Sequence, residues 1–284
     1  NDRYQYIFPN FNFSKNINID ENYKGSFKFL SSGFQKNYET NIYEAVINND
    51  FLFDSLDFIT SQGLVSSYDV LLKNVNTYSE NSSSYNKNNE NNIYGSVLFK
   101  TSYPLRKKYK NSTNYITPIF SARYSPNGND SISDKNTSLN FDNVFNLNRI
   151  GTNDQVESGK SFSVGLQFSK ENIKNEKIFD FNIANVFKDQ KNSNLPTKTK
   201  LNETRSDLFG NLNIKPNNNF ELGYTFSFDR DLDHSNLDVL SLEVSKSNFF
   251  TDFYYYAENN DYGNAELISN NTSFNFNNEN SLTF

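Results

Sequence analysis

The sequence predicts an all-β protein of antiparallel strands, and three observations predict it. Apolar and polar residues alternate with a period of two along most of the chain. Residues 161–168 (SFSVGLQF) put Phe162, Val164, Leu166 and Phe168 on one face and Ser161, Ser163, Gly165 and Gln167 on the other, as in a strand with two different surroundings. Only 35% of the 284 residues are apolar, yet 16% are aromatic. Disordered chains are poor in aromatics, whereas here Phe and Tyr are interleaved with Asn, Ser and Lys, which favours strands with one polar face. Finally, no stretch shows a convincing amphipathic helical period, and no run approaches the roughly 18 apolar residues that a spanning helix needs.

Residues 1–15 carry Tyr4, Tyr6 and Phe8, then Pro9, then Phe11 and Phe13: two alternating triplets flanking a proline, which a strand tolerates at a bulge or end. Residues 23–29 (YKGSFKF) alternate after the polar turn 20–22. Residues 36–47 and 51–59 are two further strands, separated by Asn48, Asn49 and Asp50, a turn composition. In 63–76 the consecutive Val70, Leu71 and Leu72 leave a bulge or a short helix open. Residues 77–92 (TYSENSSSYNKNNENN) read as a long exposed loop. Alternation resumes at 93–103, with Ile93, Gly95, Val97 and Phe99 on one side, and the run Arg106, Lys107, Lys108 reads as a solvated turn.

Residues 143–150 (NVFNLNRI) set apolar residues against Asn and, through a polar, Gly-bearing link, predict a hairpin with 161–168. Residues 177–187 align Phe179, Phe181 and Ile183; 189–204 is a polar loop containing Pro196. The clearest hairpin joins 208–214 (LFGNLNI) to 220–228 (FELGYTFSF) across Pro216 and three Asn. Strands follow at 239–246, 248–258 and 267–277, and residues 281–284 begin one more. Short turns on one side and long polar loops on the other is the pattern of a transmembrane antiparallel β-barrel, whose lumen and loops account for the polarity.

Composition excludes several classes. A net charge of −6 without a basic block leaves no nucleic-acid footprint. With no Cys there is no disulfide or thiolate metal site. Phosphate-loop glycine patterns are absent, and PNGND at 126–130 has turn chemistry only. Asp229, Asp231, Asp233 and His234 form the one dense acidic cluster near a His. The glycine turn and distal Glu of a calcium loop do not follow it, so it reads as an acidic hairpin loop. His234 is the single histidine and has no nucleophile signal near it. We expect no catalytic, cofactor or metal site. Met is absent and no signal-peptide pattern opens the chain, so an internal fragment is expected; Phe284 fits a terminal aromatic signal only loosely.

Several stretches resemble one family. PLRKK at 104–108, ITPIFSARYSPNG at 116–128, NFDNVFNLNRI at 140–150 and ESGKSFSVGLQFS at 157–169 resemble the C-terminal barrel region of the LptD family, the LPS-assembly proteins of the outer membrane. DRYQYIFPNFNFSK at 2–15, LKNVNTYSE at 72–80 and ENSLTF at 279–284 resemble alphaproteobacterial members. The signature positions are Pro118, Arg123, Pro126, Asn143, Phe145, Asn148, Arg149, Gly151, Glu157, Gly159 and Gly165. Physically they look like hairpin positions, with Arg149 and Glu157 able to pair across the lumen or loop.

The resemblance implies a two-protein lipopolysaccharide translocon in the outer membrane of a Gram-negative bacterium. In it a very large barrel is plugged by the lipoprotein LptE, and a jelly-roll domain receives lipopolysaccharide from the periplasmic bridge protein LptA. A lateral opening then releases the lipid among the outer-membrane lipids. Residues 1–284 would be a partial barrel domain holding a middle set of strands, with the jelly-roll and the first and last strands outside it. A passive diffusion channel or receptor-type barrel is the alternative. From another class, so is a soluble extracellular β-sandwich adhesin with Asn-rich loops.

Overall fold

The structure, a computed structural model, describes residues 4–17, 23–38, 41–126, 131–133, 136–261, 263–276 and 281–283. They form one antiparallel sheet of sixteen strands. The first eight are β1 (Gln5–Ile17), β2 (Gly25–Tyr38), β3 (Tyr43–Ser55), β4 (Phe58–Ile59), β5 (Val65–Glu80), β6 (Glu90–Ser102), β7 (Leu105–Lys108) and β8 (Ser112–Ser125). There follow β9 (Gly159–Asn172), β10 (Lys177–Lys188), β11 (Leu208–Asn217), β12 (Phe220–Phe228), β13 (Ser235–Lys246), β14 (Phe249–Asn260), β15 (Gly263–Asn275) and β16 (Ser281–Thr283). Each long strand pairs with the next in the chain, and the short β4 and β7 fold back onto β5 and β8. The sheet is not closed: β1 and β16 are its two ends. No helix among the described residues is long and apolar enough to cross a membrane, which says nothing about strands.

Register puts the alternation to use. Ser121, Ser163 and Val186 are cross-strand neighbours, as are Phe120 and Val164 on the opposite face. On one face Ser121, Ser163 and Val186 are buried; on the other Phe120, Val164 and Leu166 are 37–45% exposed. Rows of exposed aromatic and aliphatic side chains are costly in water and suit hydrocarbon. Phe162 stacks on Phe187 across β9 and β10 (ring centroids 5.0 Å apart) within this outer row. β5 has 16 residues and β8 and β9 have 14 each, more than the roughly 9–11 that a tilted membrane strand needs, so these strands can extend beyond the apolar band.

Several expected boundaries are corrected. Residues 48–50 are no turn: β3 runs through them unbroken. Asn49 on the outer face accepts from Ser31 and donates to Asn74, while Asp50 on the other face binds Lys73. Asn49 and Asp50 are therefore bonded across the sheet instead of in a turn, while the buried Asn48 Oδ1 has no partner among the described residues. Residues 65–76 form regular strand without helix, Leu71 pointing inward between the outward Val70 and Leu72. Apolar residues occupy both faces here because loop residues also cover the inner face. Of the expected loop 77–92 only 81–89 is loop; both flanks extend β5 and β6. The span 36–47 is broken between β2 and β3, and the basic run 106–108 lies in β7, exposed. The hairpin of β11 and β12 forms as expected, with Leu212 opposite Tyr224, but Pro216 and Asn217 belong to β11 and only residues 218–219 turn. The turn 20–22, Phe284 and most of PNGND lie outside the described residues.

Candidate functional site

The up-and-down order puts alternate connections at the same end. The two longest, 126–158 after β8 and 189–207 after β10, therefore share an end with 81–89 and 229–234. The first long connection overturns the expected hairpin: residues 143–150 form turns, not a strand. The Asn residues that mimic a polar strand face are turn formers. Asn140 Oδ1 accepts from the backbone N–H groups of Asp142 and Asn143, both at 3.0 Å, and Asn143 Oδ1 accepts from Asn140 N–H at 3.0 Å. Asn148 Oδ1 accepts from Gly151 N–H at 3.2 Å, with Gly151 at φ +76°, a left-handed conformation that favours glycine. Side chains that cap their own backbone compete with sheet pairing, and here they win.

The apolar residues of this segment go to the inner face of the sheet. Val144, Phe145 and Ile150 pack with Leu195 and Leu201 of the second connection against Ala184, Val186 and Phe209. Leu147 and Val156 pack separately with Leu71, Val75, Tyr94 and Leu98. Gly165 accommodates Phe145: a Cβ there would lie 2.6 Å from the ring. The two connections also bond to each other, Leu139 N–H donating to Thr199 Oγ1 (3.1 Å) and Asn192 Nδ2 to Ser158 Oγ (3.0 Å). Lys198 reaches Glu258 of β14 at 2.8 Å. The polar inner face of β8 to β11 is thus occupied by protein and is not a wet lumen along that stretch.

Between the two apolar clusters sits a buried group of charges. Arg149 Nε and Nη2 donate to the two carboxylate oxygens of Glu157 at 2.6 Å each, and Nη2 and Nη1 also donate to Ser161 Oγ (2.8 Å) and Ser163 Oγ (3.1 Å). Arg123 Nε donates to Leu147 O (3.0 Å) while its Nη1 stands 3.9 Å from Glu157. Lys188 Nζ lies 3.7 Å from the same carboxylate. Burial by itself would raise the Glu157 pKa, but Arg149, Arg123 and Lys188 outweigh it and hold the carboxyl down to about 2. Lys73 of β5, buried, donates to both oxygens of Asp50 at 2.7 Å and to Asn153 O at 2.6 Å, anchoring the far end of the segment. Such a constellation binds a loop to a wall. It has no nucleophile placed beside a base.

Of the eleven signature residues, Arg123, Phe145, Arg149, Glu157 and Gly165 meet in this assembly. Asn143, Asn148 and Gly151 shape its turns. Gly159, at φ +96°, starts β9. Pro118 faces outward on β8, and Pro126 is exposed just beyond it. Lys73, Asp50 and Lys188 escaped the sequence reading. Their signal was a charge at an inward position in the middle or end of a strand, where nothing local says what it meets. Asp229, Asp233 and His234 do come within 4.8 Å of one another, but on an exposed loop. Asp229 Oδ1 accepts from Asp233 N–H at 3.1 Å, closing the turn.

A family model described as LptD, LPS transport system D, matches residues 4–280. No curated protein matches the chain. The match covers nearly the whole sheet, including the inner connections and the charge cluster that anchors them, and the chain belongs to the LptD family of lipopolysaccharide transport proteins.

Proposed function

We propose that residues 1–284 form one stretch of the wall of a lipopolysaccharide translocon in the outer membrane of a Gram-negative bacterium. The remaining strands and a periplasmic jelly-roll domain would be supplied by the rest of the protein. The observation that carries this reading is the two-sided wall: an outer face of exposed Phe, Val, Leu and Ile, and an inner face of polar residues and docked loops. A soluble sandwich would put its apolar rows between its sheets, so the adhesin reading loses its ground. In the translocon reading LptE fills the lumen, LptA delivers lipopolysaccharide to the jelly-roll, and the wall separates a polar path for sugars from the hydrocarbon that takes the acyl chains. The chain's residues guide and do not make or break bonds; the energy for transport comes from elsewhere. The test is depletion of the protein with detection of lipopolysaccharide on intact cells. Loss of newly made surface lipopolysaccharide is expected. Continued delivery would overturn the reading in favour of a passive channel.

A further inference from the structure

A recess of about 260 Å³ opens beside the anchored loop, between the 81–89 connection, the inner faces of β5 and β6, and residues 154–155. Its rim is preorganised. Ser79 Oγ donates to Tyr85 O (2.7 Å) and Asn86 O (3.0 Å), tying the 81–89 connection to β5. Tyr85 donates its hydroxyl to Asp154 Oδ2 at 2.9 Å, joining that connection to the 126–158 loop; burial first, then Asp154, push the Tyr85 pKa up. Because the walls are already bonded, a ligand would pay little to order them.

The lining has a definite chemistry. Glu90 and Asp154 supply carboxylate acceptors, Ser83 and Asn92 supply a hydroxyl and an amide, and Tyr94 supplies an aromatic ring. Among the described residues the side chains of Ser83 and Asn92 have no hydrogen-bond partner, and no Lys or Arg lines the recess. Carboxylates and amides can take hydroxyl protons from a polyol, and Tyr94, buried in the apolar cluster with Val75 and Leu98, closes the floor of the recess. Two carboxylates without a cation repel a phosphate. The volume lies just below the roughly 300–1,000 Å³ of pockets for drug-sized ligands, the scale of a single small ring.

We propose that this recess is a sugar subsite that takes an uncharged or amine-bearing pyranose and rejects a phosphorylated one. It rests on the translocon reading for its biological ligand, the unphosphorylated sugars of lipopolysaccharide as they pass the inner face. The test uses the complete protein purified in a non-glycoside detergent and saturation-transfer difference NMR with methyl glucoside, glucosamine and glucose 1-phosphate. Transfer to the first two at millimolar concentration is expected, with at least a fivefold weaker signal from the phosphate. Ser83→Leu, at an exposed position without hydrogen bonds, should abolish the signal while leaving the folded band on unheated gels. Asp154→Asn should weaken glucosamine more than methyl glucoside. Equal signals in wild type and Ser83→Leu, or a stronger signal from the phosphate, would overturn the proposal. Absent sugar binding with surface delivery still dependent on the protein rejects the subsite alone. Sugar binding with delivery independent of the protein rejects the translocon reading.

Discussion

Replacing Glu157 by Gln is the most demanding test of the inner-face assembly. Both Glu157 and Arg149 are 1% exposed in their side chains, and the pair is bidentate at 2.6 Å. The substitution keeps the shape but leaves Arg149, Arg123 and Lys188 facing one another without the carboxylate that all three approach. Removing one partner of a buried pair costs about 3–5 kcal/mol, because the remaining charge stays buried without compensation. The cost falls on the docked state of the loop, since an undocked loop returns Arg149 to water. At about 1.4 kcal/mol per tenfold, the open population of 126–158 should rise by two to nearly four decades. Proteolysis of a transiently open segment tracks that population when closing is faster than cleavage. The assay is therefore the rate at which proteinase K cuts 126–158 in the folded, detergent-solubilised protein. Lys215→Met is the control: it removes an ion pair of similar length (2.6 Å) but on exposed side chains, where such pairs contribute little, and should leave the rate unchanged. A Glu157→Gln rate within threefold of wild type would refute the reasoning, since it would mean that the charges do not hold the loop.

Three further outcomes follow from the same geometry. Glu157 has a depressed pKa, so its contribution is complete above the ordinary carboxylate value of 4.5, erodes as pH falls from there and is lost below about 2; protease sensitivity of 126–158 should rise across that window and stay flat from pH 5 to 7. Val164→Lys places a charge on the outer row opposite Phe120, and near the bilayer midplane it should cost roughly 2–4 kcal/mol; an undiminished yield of the heat-modifiable form in vesicles would show that this face does not meet lipid. Gly165→Ala forces its Cβ to within 2.6 Å of the Phe145 ring, which should destabilise docking by about 1–3 kcal/mol. Phe145→Leu in the same chain should restore protease resistance.

The outer wall was legible because its information is local. Phe162, Val164 and Leu166 declare a face by their spacing alone, and the pairing of β11 with β12 is announced by two alternating segments a few residues apart. The inner assembly was not legible, because its partners are far apart in sequence. Lys73 meets Asn153 across 80 residues and Leu139 meets Thr199 across 60. The misreading of 143–150 is instructive on this point. Asn143, Asn146 and Asn148 alternate with Val144, Phe145 and Leu147 much as a strand would, yet every one of those apolar side chains is buried, whereas β9 beside it leaves its apolar face exposed. Period two records that polar and apolar positions alternate; it does not record which side is covered. A turn-forming Asn and a lumen-facing Asn look the same until the backbone groups they bond are known.

The same distinction explains why so few aliphatic residues suffice. In a soluble protein of this length they would have to fill one large core or two smaller ones. Here the outer rows need no protein partner if they face hydrocarbon, and the inner clusters need only enough side chains to seat two loops, as Val144, Ile150, Leu195 and Leu201 do against β10 and β11. What fixes the loops in one place is then polar. Glu157 answers Arg149 and Asp50 answers Lys73, each on a buried cation that no apolar neighbour could satisfy. Hydrophobic contacts alone would let a segment slide along the wall; a bidentate guanidinium–carboxylate pair has one geometry. The charges therefore specify where the loop sits, and the apolar residues make sitting there favourable.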